Sequence, residues 1–394
     1  MTQGIEEIAA SIRGRLERLR AGESGIPVGA QMHDHAAYLI QVPVLRFYTE
    51  PRLYVETMLR AVDHYQLDVP MCLSDVYNIE AEALGQRMVY RDHCMPEIDY
   101  TEPLVKKPQD LNRLKSPDPY RDGRMPQVLE INHYFQEVTG LWPALAFCAP
   151  FSLAVGVRGY YNLVRDMRKE PSFAHALLEF LTMEVLVPWL KVLAQESPGG
   201  ASPYSPHAFL PVNGPVTRER ISAFGADAWA SVPVVDLHIL REFVLPYVLK
   251  LQEALGEIDV AGWWGESHLP GSGPEEMLEM KVQCLGGKAL LILDPDVHKL
   301  GPARFRAFSA PRGAALILGL DATLLRDGPA EAIAERVRRY IKEGFSEAGL
   351  FLFLNNLPAD TPSAHVRTAV SATKQLSRAL VAGEDLDSVP LELT

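Results

Sequence analysis

The feature that most restricts the fold is a repeated unit in which a short apolar run is followed by an amphipathic stretch at helical spacing. Ala289 to Leu293, Ala315 to Leu318 and Leu350 to Leu354 are apolar at nearly every position, as a strand covered on both faces must be. Val69 to Ser74, Trp142 to Phe147 and Asp259 to Trp264 have the same strand character. Helical patterns separate them: Glu50 to Tyr65, Gln127 to Gly140, two within Tyr160 to Leu193, Leu240 to Leu255, Pro274 to Val282, Pro302 to Phe308 and Pro329 to Glu343. This order predicts an α/β protein, either a closed (β/α)8 barrel or an open doubly wound sheet. There is no G-x-G-x-x-G and no P-loop, which removes the main support for the nucleotide-binding open sheet.

Charge narrows the partners. Fifty acidic against 38 basic residues give a formal net charge of −12, which disfavours nucleic acid and anionic membrane surfaces because both need clustered Lys and Arg. Cys72, Cys94, Cys148 and Cys284 are scattered without a C-x-x-C pair and read as reduced thiols. The first residues lack the basic-then-apolar order of a secretion signal, and no apolar run approaches the roughly 20 residues that span a bilayer. A cytoplasmic protein is expected. Ile5, Ile8, Ile12, Leu16 and Leu19 fall on one helical face, so residues 1–30 are expected to form an amphipathic N-terminal cap and residues 31–394 one barrel domain. The apolar helix around Phe173 to Leu186 suits burial against the barrel or against a subunit partner, the second of which would make a homo-oligomer.

Chemistry is expected where strands end. Asp75 follows the run Val69 to Leu73 and precedes a helix start at Glu80, which places it at the carboxyl end of a strand, where barrels build active sites; capping of the next helix is the alternative. His33 and His35 flank Asp34, and in an extended segment both imidazoles would share one face, as metal ligands or an acid/base pair require; two loop histidines bonded to backbone are the alternative. Glu266 and His268 form a second pair after a strand, so His33, His35, Glu266 and His268 are the candidate zinc ligands. Asp294, Asp296, His298, Asp321 and Asn355 complete the polar strand ends, with Asp296 equally placed to cap a helix. Trp263, Trp264, Phe47, Tyr48 and Tyr77 would line an aromatic mouth or pack in the core.

Five segments resemble the uroporphyrinogen decarboxylase superfamily. They are Asp68 to Gly85 with its Ser74-Asp75 pair, Leu114 to Leu129 (LKSPDPYRDGRMPQVL), Ala149 to Met167 (APFSLAVGVRGYYNLVRDM), Phe243 to Tyr247 (FVLPY) and Leu357 to Pro362 (LPADTP). The second is similar to the corrinoid-linked methyltransferase branch. The resemblance implies a single (β/α)8 barrel and an enzyme that exchanges a methyl group between a small donor or acceptor, such as a methoxylated aromatic, and the cobalt of a corrinoid, carried by a partner corrinoid protein. By resemblance Asp75 faces substrate. His33 and His35 would join it as catalytic residues, and Tyr77, Trp263, Asn355 and Asp321 would contact substrate.

The departures are as informative. The arginine-rich loop with which the decarboxylases bind substrate carboxylates is here GAQMHDHAAY, without arginine. The His-x-Cys pair and late Cys that hold zinc in thiol-alkylating relatives fall at Gly262 to Gly265 and at Asn355 or Asn356, so any zinc needs other ligands. A cofactor-free lyase and a non-catalytic binding protein are the competing readings.

Overall fold

A computed structural model describes residues 4–22, 25–200 and 221–393. Its parallel strands fall in two ladders. One runs β1 (Val28–Ala30), β9 (Leu350–Leu354), β8 (Ala315–Leu320), β7 (Ala289–Leu293); the other runs β4 (Ala146–Cys148), β5 (Ile221–Ala226), β6 (Gly256–Ala261). A parallel bridge from Gly29 to Val69 adds the extended segment 69–73 beside β1. Ladder bonding is interrupted at two seams among the described residues, between that segment and β4 and between β6 and β7.

Side chains complete the ring that the ladders leave open. Phe224, Ala226 and Ala261 from one ladder share a buried cluster with Leu291, Ile317, Phe351 and Phe353 from the other and with Val69 and Met71. The alternate residues Leu290, Ile292, Leu316, Leu318, Leu352 and Leu354 belong to the outer layer beneath the helices. Period-two alternation with both faces buried explains the continuous apolar runs and makes the interior a packed core. Gly29 provides room inside it, since a Cβ there would lie 2.8 Å from the Phe351 ring. The architecture is therefore a (β/α)8 barrel.

Helices cover the ring as the apolar spacing demands. In the helix Pro51–His64, Pro51 occupies the first turn, where a missing N–H costs nothing, and Tyr54, Val55, Met58, Leu59 and Val62 are buried. The N-terminal helix α1 (Ile5–Arg20) contributes Ile8 and Ile12 to the outer layer but Leu16 and Leu19 to the interior cluster. It plugs the amino end of the barrel, held by the Arg15 guanidinium, which donates to the Leu67 carbonyl at 3.0 Å and pairs with Asp63 at 2.9 Å.

Several elements differ from the sequence expectation. The strand expected at 69–74 stops at residue 73, where Ser74 turns at φ 50°, and is joined by the Gly29–Val69 bridge alone; the strand expected at 142–147 is confined to Ala146–Cys148, and the strand expected at 259–264 runs Gly256–Ala261 because Gly262 turns the chain at φ 104°. Ile221–Ala226 is a strand that Ser222 and Gly225 disguise. A hairpin outside the ring pairs β2 (Met88–Arg91) with β3 (Cys94–Ile98). No helix among the described residues is long and apolar enough to cross a membrane.

Candidate functional site

Three adjacent strands end in strained backbone. His33 follows β1 with φ 43° and ψ −128°, Ser74 follows the 69–73 segment with φ 50°, and Asn356 follows β9 with φ 49°. Non-glycine residues rarely hold positive φ, and such strain collects at functional sites. Here it re-aims the chain at the carboxyl mouth of the barrel.

The strain gives His33 an unusual setting. The half-buried ring lies 6.5 Å from that of Tyr77, and its Nε2 is enclosed without a hydrogen-bond partner. Burial pulls the imidazole down to about 4, so the ring is neutral near pH 7. Tyr77 is pushed up to about 12 by burial, against the opposing hydrogen bond with Gln31, and its hydroxyl also feels Cys148 and Asp227. The mouth thus gathers His33, Tyr77, Gln31, Cys148 and Asp227.

Asp227, immediately after β5, is completely buried. Its Oδ1 accepts from the Ser152 backbone N–H at 3.0 Å and the Ser152 hydroxyl at 2.7 Å, and its Oδ2 accepts from the Trp263 indole at 3.3 Å. Burial raises the acid to about 6 against these bonds, leaving it largely ionised at pH 7. Its donors are all neutral. The sequence reading passed over Asp227 because the strand before it was not recognised; an acidic residue ending an apolar run was the available signal.

Other expected site residues lie elsewhere. Asp75 is turned into the protein: its Oδ2 pairs with the Arg124 guanidinium at 2.6 Å and its Oδ1 accepts from the Asn78 amide at 2.6 Å, with 1% of its surface exposed. Arg124 also binds Glu82 at 2.5 Å. Burial outweighs Arg124 and raises the Asp75 acid. Asp75 therefore ties the turn after residue 73 to the entry of the helix Met125–Thr139, which makes two separately noted sequence segments one ion-pair network.

The His33/His35 pair does not share a face, because Asp34–Ile40 is a helix rather than an extended segment. His35 points away, its Nε2 2.8 Å from the Tyr65 hydroxyl and its Nδ1 3.3 Å from the Ala359 carbonyl. Glu266 is fully buried against Lys281 at 2.5 Å, while His268 in the same short 3-10 turn is exposed. The enclosed Nε2 of His33 is an atom a metal could use, yet among the described residues no three His, Cys, Asp or Glu side chains converge on one point. The residues present do not fit the zinc site expected from His33, His35, Glu266 and His268.

The aromatic and cap expectations change too. Trp263 is buried and spent on Asp227; Phe47 and Tyr48 sit in the outer layer. Asp321 caps the helix Ala322–Asp327 by accepting from the Thr323 N–H at 2.7 Å. Asp294 pairs with Arg336 at 2.9 Å, and Asp296 accepts from the Gly265 and Ser267 N–H groups. Gly265 is required there: its φ is 110°, and a Cβ would lie 2.1 Å from the Val232 carbonyl oxygen. Asn355 ends β9 half-buried beside Gly319.

The family model described as uroporphyrinogen decarboxylase (URO-D) matches residues 26–196. A uroporphyrinogen decarboxylase from an Anaeromyxobacter species is 23% identical over 355 residues, covering 87% of this chain and 91% of that protein. The methylated-thiol–coenzyme M methyltransferase of Methanosarcina mazei is 28% identical over 172 residues, covering 43% of this chain and 39% of that protein. A solved methyltransferase structure from Methanosarcina mazei superposes with a TM-score of 0.68 at 17% identity, over 92% of this chain and 98% of that one.

Proposed function

Because residues 26–196 match the uroporphyrinogen decarboxylase family model, we propose that the chain is a member of that superfamily and uses the carboxyl mouth of the barrel as a methyltransferase, moving a methyl group between a small molecule and the cobalt of a corrinoid carried by a partner protein. The observation that carries this reading is the neutral, strained His33 with its unpartnered Nε2 beside Tyr77. A neutral imidazole retains one donor and one acceptor nitrogen, and a phenol can donate. Together they can hydrogen-bond polar groups of the donor and hold its methyl group in line, which is the protein's main task when the nucleophile is strong.

In this reading a corrinoid supplies a strongly nucleophilic cobalt, and the chain's own residues supply position. Gln31 fixes the Tyr77 hydroxyl, Trp263 and Ser152 fix Asp227, and the Asp75–Arg124 pair holds the loop next to the mouth as a positioning device. The alternative activity of the family, decarboxylation of a polyanionic tetrapyrrole, has weaker support. Residues 29–38 contain no arginine, and the helix cations Lys281 and Arg336, which reach toward the strand ends, are engaged by Glu266 and Asp294.

The test is anaerobic transfer from small methylated donors to chemically reduced cobalamin, followed by the absorbance of the cobalt. Wild-type protein should support transfer, and His33→Ala should slow it on the order of 100-fold with unchanged far-UV circular dichroism. Full activity in His33→Ala would overturn the role given to His33. Release of carbon dioxide from uroporphyrinogen without any methyl transfer would overturn the reading itself.

A further inference from the structure

We propose that the mouth takes its methyl donor as an onium cation, a quaternary ammonium or a sulfonium, seated in the corner formed by Tyr100 and Trp229 beside the Asp227 carboxylate. The proposal rests on the methyl-transfer reading and narrows its donor. Two independent observations carry it.

The first is an aromatic corner built by three separate elements. Trp229 stacks on Tyr160 with centroids 5.4 Å apart and planes at 22°, while Tyr100 meets it at 6.3 Å and 70°. Tyr160 is pinned by its hydroxyl, which donates to the Val234 carbonyl, so it backs the indole. Tyr100 remains 47% exposed, and its phenol senses Cys148 at the barrel mouth. Two ring walls at a steep angle, one firmly backed, are the arrangement that attracts a cation to π-faces.

The second is a buried negative charge for which the described residues supply no bonded cation. Asp227 is fully buried and held by Ser152 and Trp263, with no cationic side chain bonded to it among the described residues. A buried carboxylate is costly unless a positive group offsets it. Ser152 links the two features, donating to Asp227 through its hydroxyl while that oxygen lies 3.2 Å from the Trp229 backbone N–H as its acceptor.

An onium donor also matches the proton inventory of the mouth. When its carbon–nitrogen or carbon–sulfur bond breaks, both electrons stay on the heteroatom and the amine or sulfide leaves neutral. The new bond to carbon is made with the electron pair of the reduced corrinoid. No proton is needed, in keeping with His33 and Tyr77 both being neutral near pH 7.

The test compares choline with 3,3-dimethylbutan-1-ol, which has the same shape without charge, by isothermal titration of the full-length chain. Trimethylsulfonium is run alongside to separate the two onium classes. At least one onium should bind ~10-fold or more tightly than the neutral alcohol. Trp229→Ala and the exposed-site variant Tyr100→Ala should each abolish that preference, and Trp229→Phe should keep it. Equal affinity for choline, trimethylsulfonium and the alcohol, or an unchanged preference in both alanine variants, would overturn the proposal. If a neutral ether or thioether donates its methyl while neither onium binds, the onium assignment fails and the methyl-transfer reading survives. If an onium binds as described and no donor methylates cobalamin, the binding site stands and the methyl-transfer reading fails.

Discussion

At the scale of single residues, buried charge separates structural from chemical groups. Asp75 and Arg124 are 1% and 7% exposed, so removing one partner strands the other. Asp75→Asn or Arg124→Ala should each cost about 3–5 kcal/mol in urea unfolding, whereas Asp75→Asn combined with Arg124→Met should lie much closer to wild type than the sum of single effects. Glu80 makes a different prediction. Its Oε1 accepts from the Cys148 N–H at 3.2 Å and the Trp189 indole at 3.1 Å, its Oε2 is buried without a partner, and burial raises the acid to about 8. Between the ordinary Glu value and 8 the native state holds a proton that the unfolded chain has released, so stability should fall as pH rises through that window. Glu80→Gln should flatten the fall; an unchanged pH profile by urea titration would show that Glu80 does not cause it. The sequence could place Asp75 after an apolar run, but could not reveal that Arg124, 49 positions away, consumes its charge. His33 was visible as a strand-end imidazole, whereas its separation from His35 depends on a helix starting at Asp34.

At the scale of elements, the two seams in the ladder set the local stability. Strands β8 and β9 are paired along their length and buried on both faces, while the 69–73 segment meets β1 through one bridge. Native-state hydrogen exchange should therefore be slowest in β8 and β9 and faster by orders of magnitude at the amides of residues 71–74. Uniform protection across both regions would contradict the seam. At the amino end, α1 acts as a plug, and Leu19→Ala should cost about 2–5 kcal/mol because a 1% exposed side chain leaves a cavity in the barrel floor. Elements were legible in proportion to their regularity. Ala289–Leu293 and Leu350–Leu354 were expected with the bounds the structure gives them because every position is apolar. Ile221–Ala226 was missed because Ser222 and Gly225 break the run, and Asp227 was lost with it.

At the scale of the whole molecule, the barrel and the resemblance to the superfamily were legible because five ordered segments and the strand–helix repeat agree, and consistency across levels is what specifies a fold. The chemistry was less legible. Family ligands are replaced here, so the site had to be rebuilt from strand ends whose direction depends on backbone strain at His33, Ser74 and Asn356. A mouth with neutral His33 and Tyr77 and a buried Asp227 suits methyl transfer from a small donor better than recognition of a polyanion. The most direct measurement is to follow a deuterium-labelled methyl group by mass spectrometry after mixing the chain with reduced cobalamin and labelled donors, with uroporphyrinogen supplied in a parallel reaction. The account predicts labelled methylcobalamin with wild-type protein, a large loss with His33→Ala, and no decarboxylated porphyrinogen; decarboxylation with no label on cobalt would contradict it.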